Sequence, residues 1–373
     1  MVAMLMPEKK IEKTGKTFEI RNFRFGDENA ICALFERVFG KPMGATESAL
    51  HWQWEYIDNP IKEIFIELAW NNERLVGQYA ASPVRISVDN RDIIAALSHD
   101  TMTDPEYSGL GIFKNTAENL YADQKKSSHC FIYGFPNRNS IHGFTKNLHW
   151  HRIMPVPVYV RPVNIISYVL QRLQKRVGHF LLVPEKPVLN DEKDLLSDKS
   201  TSCELRIETK FGDWVDDLWQ RCRSQHRVWV VRDIAYLNWR YIRRPESQYQ
   251  IISAWRANRP VGYVITTSIE KEFGATLFVL DFLVDLNYQD TADTLIRSII
   301  KLARGSGAVF VSVLLTPGSK YRQLFRRRLF FPLPERFFPQ PLYFGARCFD
   351  PSLHDVVYNP KAWSISWGDD DVL

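Results

Sequence analysis

A seven-residue frame occurs twice in this chain. Trp54-Glu-Tyr-Ile-Asp-Asn-Pro60 returns as Trp239-Arg-Tyr-Ile-Arg-Arg-Pro245, with Trp, Tyr, Ile and Pro shared at a shift of 185 positions. The register continues without a gap through Ala69-Trp70 and Ala254-Trp255, Arg74 and Arg259, and Val76-Gly77 and Val261-Gly262. Further along the shift is 181: Asp104 and Tyr107 meet Asp285 and Tyr288, Pro136 meets Pro317, Phe144 meets Phe325, and Trp150 meets Phe331. Tryptophan is rare, so two in register mark self-similarity. A period this long describes a duplicated domain rather than a short solenoid repeat.

A chain of 373 residues has room for two such domains with a core each. With 45% hydrophobic and 24% charged residues it is neither disordered nor of low complexity. Forty-eight Lys and Arg against 43 Asp and Glu leave a net charge of +5, too slight an excess to indicate a nucleic-acid partner. The cysteines (Cys32, Cys130, Cys203, Cys222, Cys348) are scattered without a CxxC pair, which reads as reduced thiols in a cytoplasmic protein with no zinc knot. The opening apolar stretch Met1–Met6 is too short for a signal peptide core. No uncharged apolar run approaches the roughly 18 residues of a membrane span.

Periodicity gives both copies the order β α α β β β α β α. In the first, Phe18–Phe23 alternates as a strand, and Asp27–Phe39 carries Ile31, Ala33, Leu34 and Val38 at helical spacing before Gly40. A second helix is expected from Thr46 to Tyr56. Strands follow at Ile64–Trp70, Leu75–Val88 and Ile93–Thr103, separated by polar turns. Helices at Phe113–Lys126 and Asn139–Asn147 enclose a strand at Cys130–Phe135. The expected organisation is a tail over 1–16, a first domain over 17–160, a helix and linker over 161–203, a second domain over 204–350 and a tail over 351–373. An apolar stripe from Ile166 to Leu181 makes 164–183 an inter-domain helix, and polar 184–202 a surface linker.

The chemistry concentrates in Ser98-His-Asp-Thr-Met-Thr-Asp-Pro-Glu-Tyr-Ser-Gly-Leu-Gly-Ile-Phe113. A strand runs into Asp104-Pro105, a Gly-x-Gly turn follows and a helix begins. Glycines there let successive backbone N–H groups converge beside a helix N-terminus, which makes a cradle for a phosphate or pyrophosphate. In the second copy Gly109 becomes Asp290 and Gly111 becomes Ala292, so that cradle is lost.

Pro105-Glu-Tyr-Ser-Gly-Leu-Gly-Ile112, Ile132-Tyr-Gly-Phe-Pro-Asn137 and Phe144-Thr-Lys-Asn-Leu-His-Trp150 resemble the motifs of the GNAT acyl-CoA transferase superfamily. The resemblance implies an α+β fold of two GNAT-like domains, each a mixed central sheet flanked by helices. It implies acetyl-CoA or another acyl-CoA as co-substrate, no metal, and direct attack by an amine of a small molecule or cell-envelope precursor. Ser108, Gly109, Leu110, Gly111 and Ile112 fall on the pyrophosphate-binding positions, where Ser108 replaces the family's basic residue. Glu106 would repel the pyrophosphate if it faced it. Met102 and Thr103 are implied to polarise the thioester through their N–H groups. Asn137 and Asn139 are implied contacts to the cofactor. For the base, His99 and Asp100 sit on opposite faces of their strand, so one of the two faces the cleft. The family's proton-donating tyrosine falls at Thr145, leaving Tyr133 and His142 as candidates. A Fem-like aminoacyl transferase, which needs no such cradle, and a non-catalytic ligand-binding protein are the alternative readings.

Overall fold

The computed structural model describes residues 9–13, 16–40, 45–166, 169, 203–245, 248–271, 274–337 and 341–370. They fall into two units, the first of residues 1–155, 243–247 and 342–359, the second of 156–242, 248–341 and 360–373. The helix and linker expected over 164–202 lie outside the described residues, apart from 164–166 and 169.

In the first unit, β1 (Lys9–Lys13) pairs antiparallel with β2 (Lys16–Asn22), so the segment expected to be a tail carries an edge strand. α1 (Glu28–Phe39) stops where Gly40 enters the left-handed region at φ 65° and returns its N–H to Glu36. α2 (Ala45–Trp52) runs into a π-helical turn over Gln53–Ile57, where the sequence predicts an unbroken helix. β3 (Phe65–Asn71), β4 (Arg74–Val88) and β5 (Arg91–Thr103) form an antiparallel meander. Asp89 and Asn90, both at positive φ, close its second hairpin with the twist such strands favour. α3 (Ile112–Lys126), β6 (Phe131–Gly134), α4 (Ile141–Leu148) and β7 (His151–Pro155) follow. α3 lies close on the sheet because Gly77 has no side chain: a Cβ there would come within 2.2 Å of Ile112 Cγ2.

The second unit repeats the plan. It holds β8 (Val158–Pro162), β9 (Glu204–Glu208), α5 (Trp214–Cys222), β10 (Val228–Val230) and α6 (Ile234–Leu237), which leads into a second π-helical turn over Asn238–Ile242. β11 (Gln250–Arg256), β12 (Arg259–Lys271), β13 (Gly274–Val284), α7 (Gln289–Gly305), β14 (Phe310–Leu314), α8 (Arg322–Arg327) and β15 (Phe331–Pro332) complete it. The chain then re-enters the first unit as β16 (Tyr343–Cys348) and α9 (His354–Val357).

The two sheets follow one rule. The first reads β1-β2-β3-β4-β5-β6-β16-β7, the second β15-β8-β14-β13-β12-β11-β9. In each, the place between the strand after the long helix and the final strand is taken by a segment distant in sequence: β16 beside β6 and β7, and β8 beside β14 and β15. Thus 342–350, expected in the second domain, belongs to the first unit, and 156–160, expected in the first, belongs to the second. No local pattern announces this, because both strands have ordinary alternation and differ only in partner.

Matching side chains lock matching places. Arg37 donates to Leu75 O at 2.6 Å and to Asp104 Oδ2 at 3.1 Å, tying α1 to the ends of β4 and β5. In the second unit Arg221 donates to Pro260 O and pairs with Asp285. The C-terminal segment 360–370 is no tail either. Trp363, Ile365, Trp367, Asp369 and Asp370 are buried, and Asp369 accepts from Arg232 at 2.8 Å. Among the described residues no helix is long and apolar enough to cross a membrane.

Candidate acyl-transfer site

β5 and β6 pair in parallel only from Ala96–Ile132 to Ser98–Gly134. Past Ser98, β5 runs on to Thr103 with β4 alone, and a wedge opens between the two parallel strands. Asp104 N–H donates to Val76 O at 2.9 Å. Alternation along the strand therefore turns Met102's N–H the same way, into the β4 ladder, and leaves Thr103's on the wedge side. Of the two expected backbone donors, the geometry keeps Thr103; the Met102 side chain is buried in the core with Ile31, Leu34 and Tyr56.

At the wedge's mouth, Asp104 caps the turn Pro105–Tyr107 by accepting from Glu106 N at 3.1 Å. Gly109 and Gly111 sit at φ 78° and 88°, where a side chain is strained, and nothing lies within 4 Å of where a Gly109 Cβ would be. Leu110 and Ile112 turn their side chains onto the core, so the turn offers backbone there. The first turn of α3 carries no acidic residue, and its leading N–H groups have no acceptor within the helix. The Glu106 carboxylate pairs with Arg74 at 2.9 Å, an arginine it shares with Asp104 at 2.8 Å, which screens the expected repulsion of an anion. Ser108 is exposed, and its N–H returns to Pro105 O at 3.2 Å rather than facing outward. The cradle suits an anion through Gly109, Gly111 and the start of α3.

His99 and Asp100 do not lie on opposite faces. Ala80 pairs with His99 and Gln78 with Met102, so β5 carries one residue more than β4 here, a β-bulge. Asp100 takes φ 47°, and Gln78 Nε2 donates to its carbonyl at 2.9 Å. The bulge swings the Asp100 carboxylate onto the side of His99, with Oδ2 3.4 Å from Nδ1. The His99 ring is buried, whereas the Asp100 side chain is 42% exposed. Burial alone would raise the Asp100 pKa, but the hydrogen bond and charge of His99, the Tyr56 hydroxyl and the charge of His51 hold it below the usual carboxylate value.

Three partners of this pair come from elsewhere. Tyr56, on the first π-helical turn, donates to Asp100 Oδ2 at 3.0 Å and lies 3.2 Å from His99 Nδ1, its ring stacked on the imidazole at 5.4 Å. Glu55, next to it, sits 3.6 Å from His99 Nδ1 and 3.4 Å from His51 Nε2. Ser82 on β4 lies 2.8 Å from His99 Nε2. The Ser82–His99–Glu55 spacing has the outline of a nucleophile–base–acid triad, but Ser82 is 2% exposed, which closes its hydroxyl to attack on a substrate. A ring nitrogen of His99 and one oxygen each of Glu55 and Asp100 lie within 4.8 Å of one another; Tyr56 hydrogen-bonds two of the three, His99 and Asp100. The signal that could have found Glu55 was the repeated frame itself, where Glu55 stands opposite Arg240 in the second copy.

Of the remaining candidates, Asn137 and Tyr133 have structural work. Asn137 accepts from the N–H groups of Asn139 and Ser140 at 2.9 and 3.1 Å, capping the approach to α4, while Asn139 is exposed. Tyr133 is buried among Phe131, Phe135 and Phe344. His142 is exposed on α4, and Thr145 bonds Ile141 O at 2.9 Å. In the second unit the matching wedge, where β13 and β14 part after Phe278 and Ser312, is filled by the unit's own chain. Trp367 packs edge-on to Phe278 at 5.6 Å and donates to Ser312 Oγ at 3.1 Å. Asp290 there is paired with Arg256.

Residues 19–151 match a protein-family profile described as an acetyltransferase (GNAT) domain. Among solved structures, a GCN5-related N-acetyltransferase from Anabaena variabilis superposes with a TM-score of 0.61 at 14% identity, over 89% of this chain and 72% of that one. A probable N-acyltransferase from Enterococcus faecalis gives 0.59 at 14% identity, over 89% and 72%. N-myristoyltransferase of Saccharomyces cerevisiae with bound myristoyl-CoA gives 0.57 at 12% identity, over 92% and 85%. At these identities the likeness shows the fold. No curated protein matches the sequence.

Proposed function

We propose that this chain, whose residues 19–151 match the profile of a GNAT acetyltransferase domain, is an acyl-CoA-dependent N-acyltransferase that transfers an acyl group, acetyl in the first instance, onto an amine of a small molecule or cell-envelope precursor. The observation that carries the reading is the bulge, which sets the partly exposed Asp100 carboxylate beside the wedge left by β5 and β6.

Gly109, Gly111 and the N-terminus of α3 would hold the pyrophosphate by backbone N–H groups and the helix dipole. Acyl-CoA, when bound, supplies the thioester carbonyl. Thr103 N–H, on the wedge side, is the backbone donor placed to polarise a carbonyl there. The acceptor amine gives up its ammonium proton to water and attacks in the neutral form. Asp100, ionised at neutral pH, takes the proton that becomes acidic as nitrogen bonds to carbon, so a weak base suffices, and that proton goes on to the CoA thiolate that leaves. Glu55, one residue from Tyr56, adds a second carboxylate on the same side and favours a cationic acceptor. The built cradle favours this reading over a Fem-like transfer, which has no use for it.

The test uses calorimetry with acetyl-CoA and longer acyl-CoAs, then turnover against a panel of primary amines. Binding of one acyl-CoA followed by free thiol release with an amine supports the reading. Asp100→Asn should lower turnover about 10²–10⁴-fold, the range of base catalysis, with acyl-CoA affinity unchanged. Binding without turnover for any amine sinks the catalytic reading, and no binding sinks the cofactor assignment.

A further inference from the structure

Tyr56 has one proton to donate, and an ionised carboxylate is acceptor only. Its hydroxyl proton therefore points to Asp100 Oδ2 at 3.0 Å, and its oxygen can accept from His99 Nδ1–H at 3.2 Å, a proton that Asp100 Oδ2 shares at 3.4 Å. When the imidazole is neutral with its proton on Nδ1 it accepts at Nε2, where Ser82 Oγ lies at 2.8 Å. Every donor then points the same way. The chain runs Ser82 to His99 to Tyr56 to Asp100, from a residue 2% exposed to a carboxylate 42% exposed.

We propose that this chain makes Tyr56 a positioning residue for acyl transfer: its hydroxyl aims the Asp100 carboxylate at the open end of a buried hydrogen-bond chain. The proposal rests on the reading of Asp100 as the proton acceptor. Two features make Asp100 need such a holder. It stands in a left-handed conformation that a non-glycine residue adopts at a cost, and its side chain reaches solvent, where it would otherwise sample several rotamers. Gln78 fixes its backbone from one side and Tyr56 its carboxylate from the other. The titratable groups facing Asp100 are His99 on its own strand, Tyr56 and Glu55 on the π-helical turn, and His51 on α2. The second unit has the same tyrosine, Tyr241, and an aspartate, Asp281, in the place of Asp100, but Leu280 stands where His99 does and Asp281 pairs with Arg232 at 2.6 Å.

Tyr56→Phe keeps the ring stacked on His99 and removes only the hydroxyl. The Asp100 pKa is read directly by NMR titration of ¹³C-carboxyl aspartate in the full chain, assigned with Asp100→Asn, and the pH dependence of turnover is read alongside it. Loss of a hydrogen bond to a charged group should raise the Asp100 pKa by about one pH unit. Asp100 stays ionised at neutral pH, so the turnover lost there, about tenfold, reports the lost aim of the carboxylate. The acidic limb should move by the same amount, with the KM for acyl-CoA unchanged. Ser82→Ala, which takes away the first donor of the chain, should shift both in the same direction by less, and serves if Tyr56→Phe does not fold. An Asp100 titration that stays put in both variants overturns the proposal. A shifted titration with an unmoved acidic limb upholds the positioning but overturns Asp100 as the proton acceptor.

Discussion

Glu67 illustrates what single residues contribute outside the site. It lies buried on β3, near Asp123 of α3, and accepts from Asn22. Burial and the Asp123 charge push its pKa up to about 8, against hydrogen bonds from Asn119 and Asn22. The sign follows directly. The folded chain keeps Glu67 protonated up to about pH 8, whereas the unfolded chain ionises it near 4.5. Its contribution is therefore complete below pH 4.5 and is lost as pH rises through 8. Urea midpoints should fall between pH 5 and 8, by at most about 1.4 kcal/mol per unit from this group. Glu67→Gln should flatten that fall; an unchanged slope would place the pH dependence elsewhere. A second comparison concerns the site. His99→Gln should cost less turnover than Asp100→Asn, because His99 is buried behind Tyr56 while Asp100 meets solvent. Equal losses would mean the proton leaves through the imidazole. Alternation along a strand could point to His99 and Asp100 but not to their shared side, since an inserted residue at positive φ reverses the faces and an aspartate gives no local sign of it.

At the scale of elements, the phosphate cradle was legible because its requirement is narrow: left-handed backbone before a helix favours glycine, and glycine shows in sequence. Gly109→Asp should abolish detectable acyl-CoA binding by calorimetry while leaving the thermal transition within a few degrees. The new carboxylate would face the anion, in a conformation costing about 1–2 kcal/mol. Affinity kept within twofold would remove the cradle from the mechanism. The π-helical turn was not legible. Its residues carry ordinary helical spacing, and only the packing of Trp54, Glu55 and Tyr56 inward together reveals the extra residue in the turn. The wedge was half legible, its strands plain in the pattern and the point where they part fixed only by how far the pairing runs.

At the scale of the whole molecule, the segment 360–370 matters as much as any strand. Two tryptophans among aspartates and serines show no period, so the sequence reads as a tail; the structure puts Trp363 and Trp367 at 1% and 5% exposure. Trp367→Ala should destabilise the second unit by about 3–5 kcal/mol, as large aromatic truncations do, and lower its thermal midpoint while acyl-CoA affinity holds. Unchanged unfolding would mean the segment is dispensable. The placement of β8 and β16 reaches further, into the gene itself. A stop codon near position 340 would leave the coding region of residues 1–155 untouched, yet the encoded product would lack the strand that β6 and β7 both need as a neighbour. Late nonsense alleles should therefore behave as nulls for the first unit's chemistry, and the two halves of the reading frame are bound to be inherited, expressed and lost together.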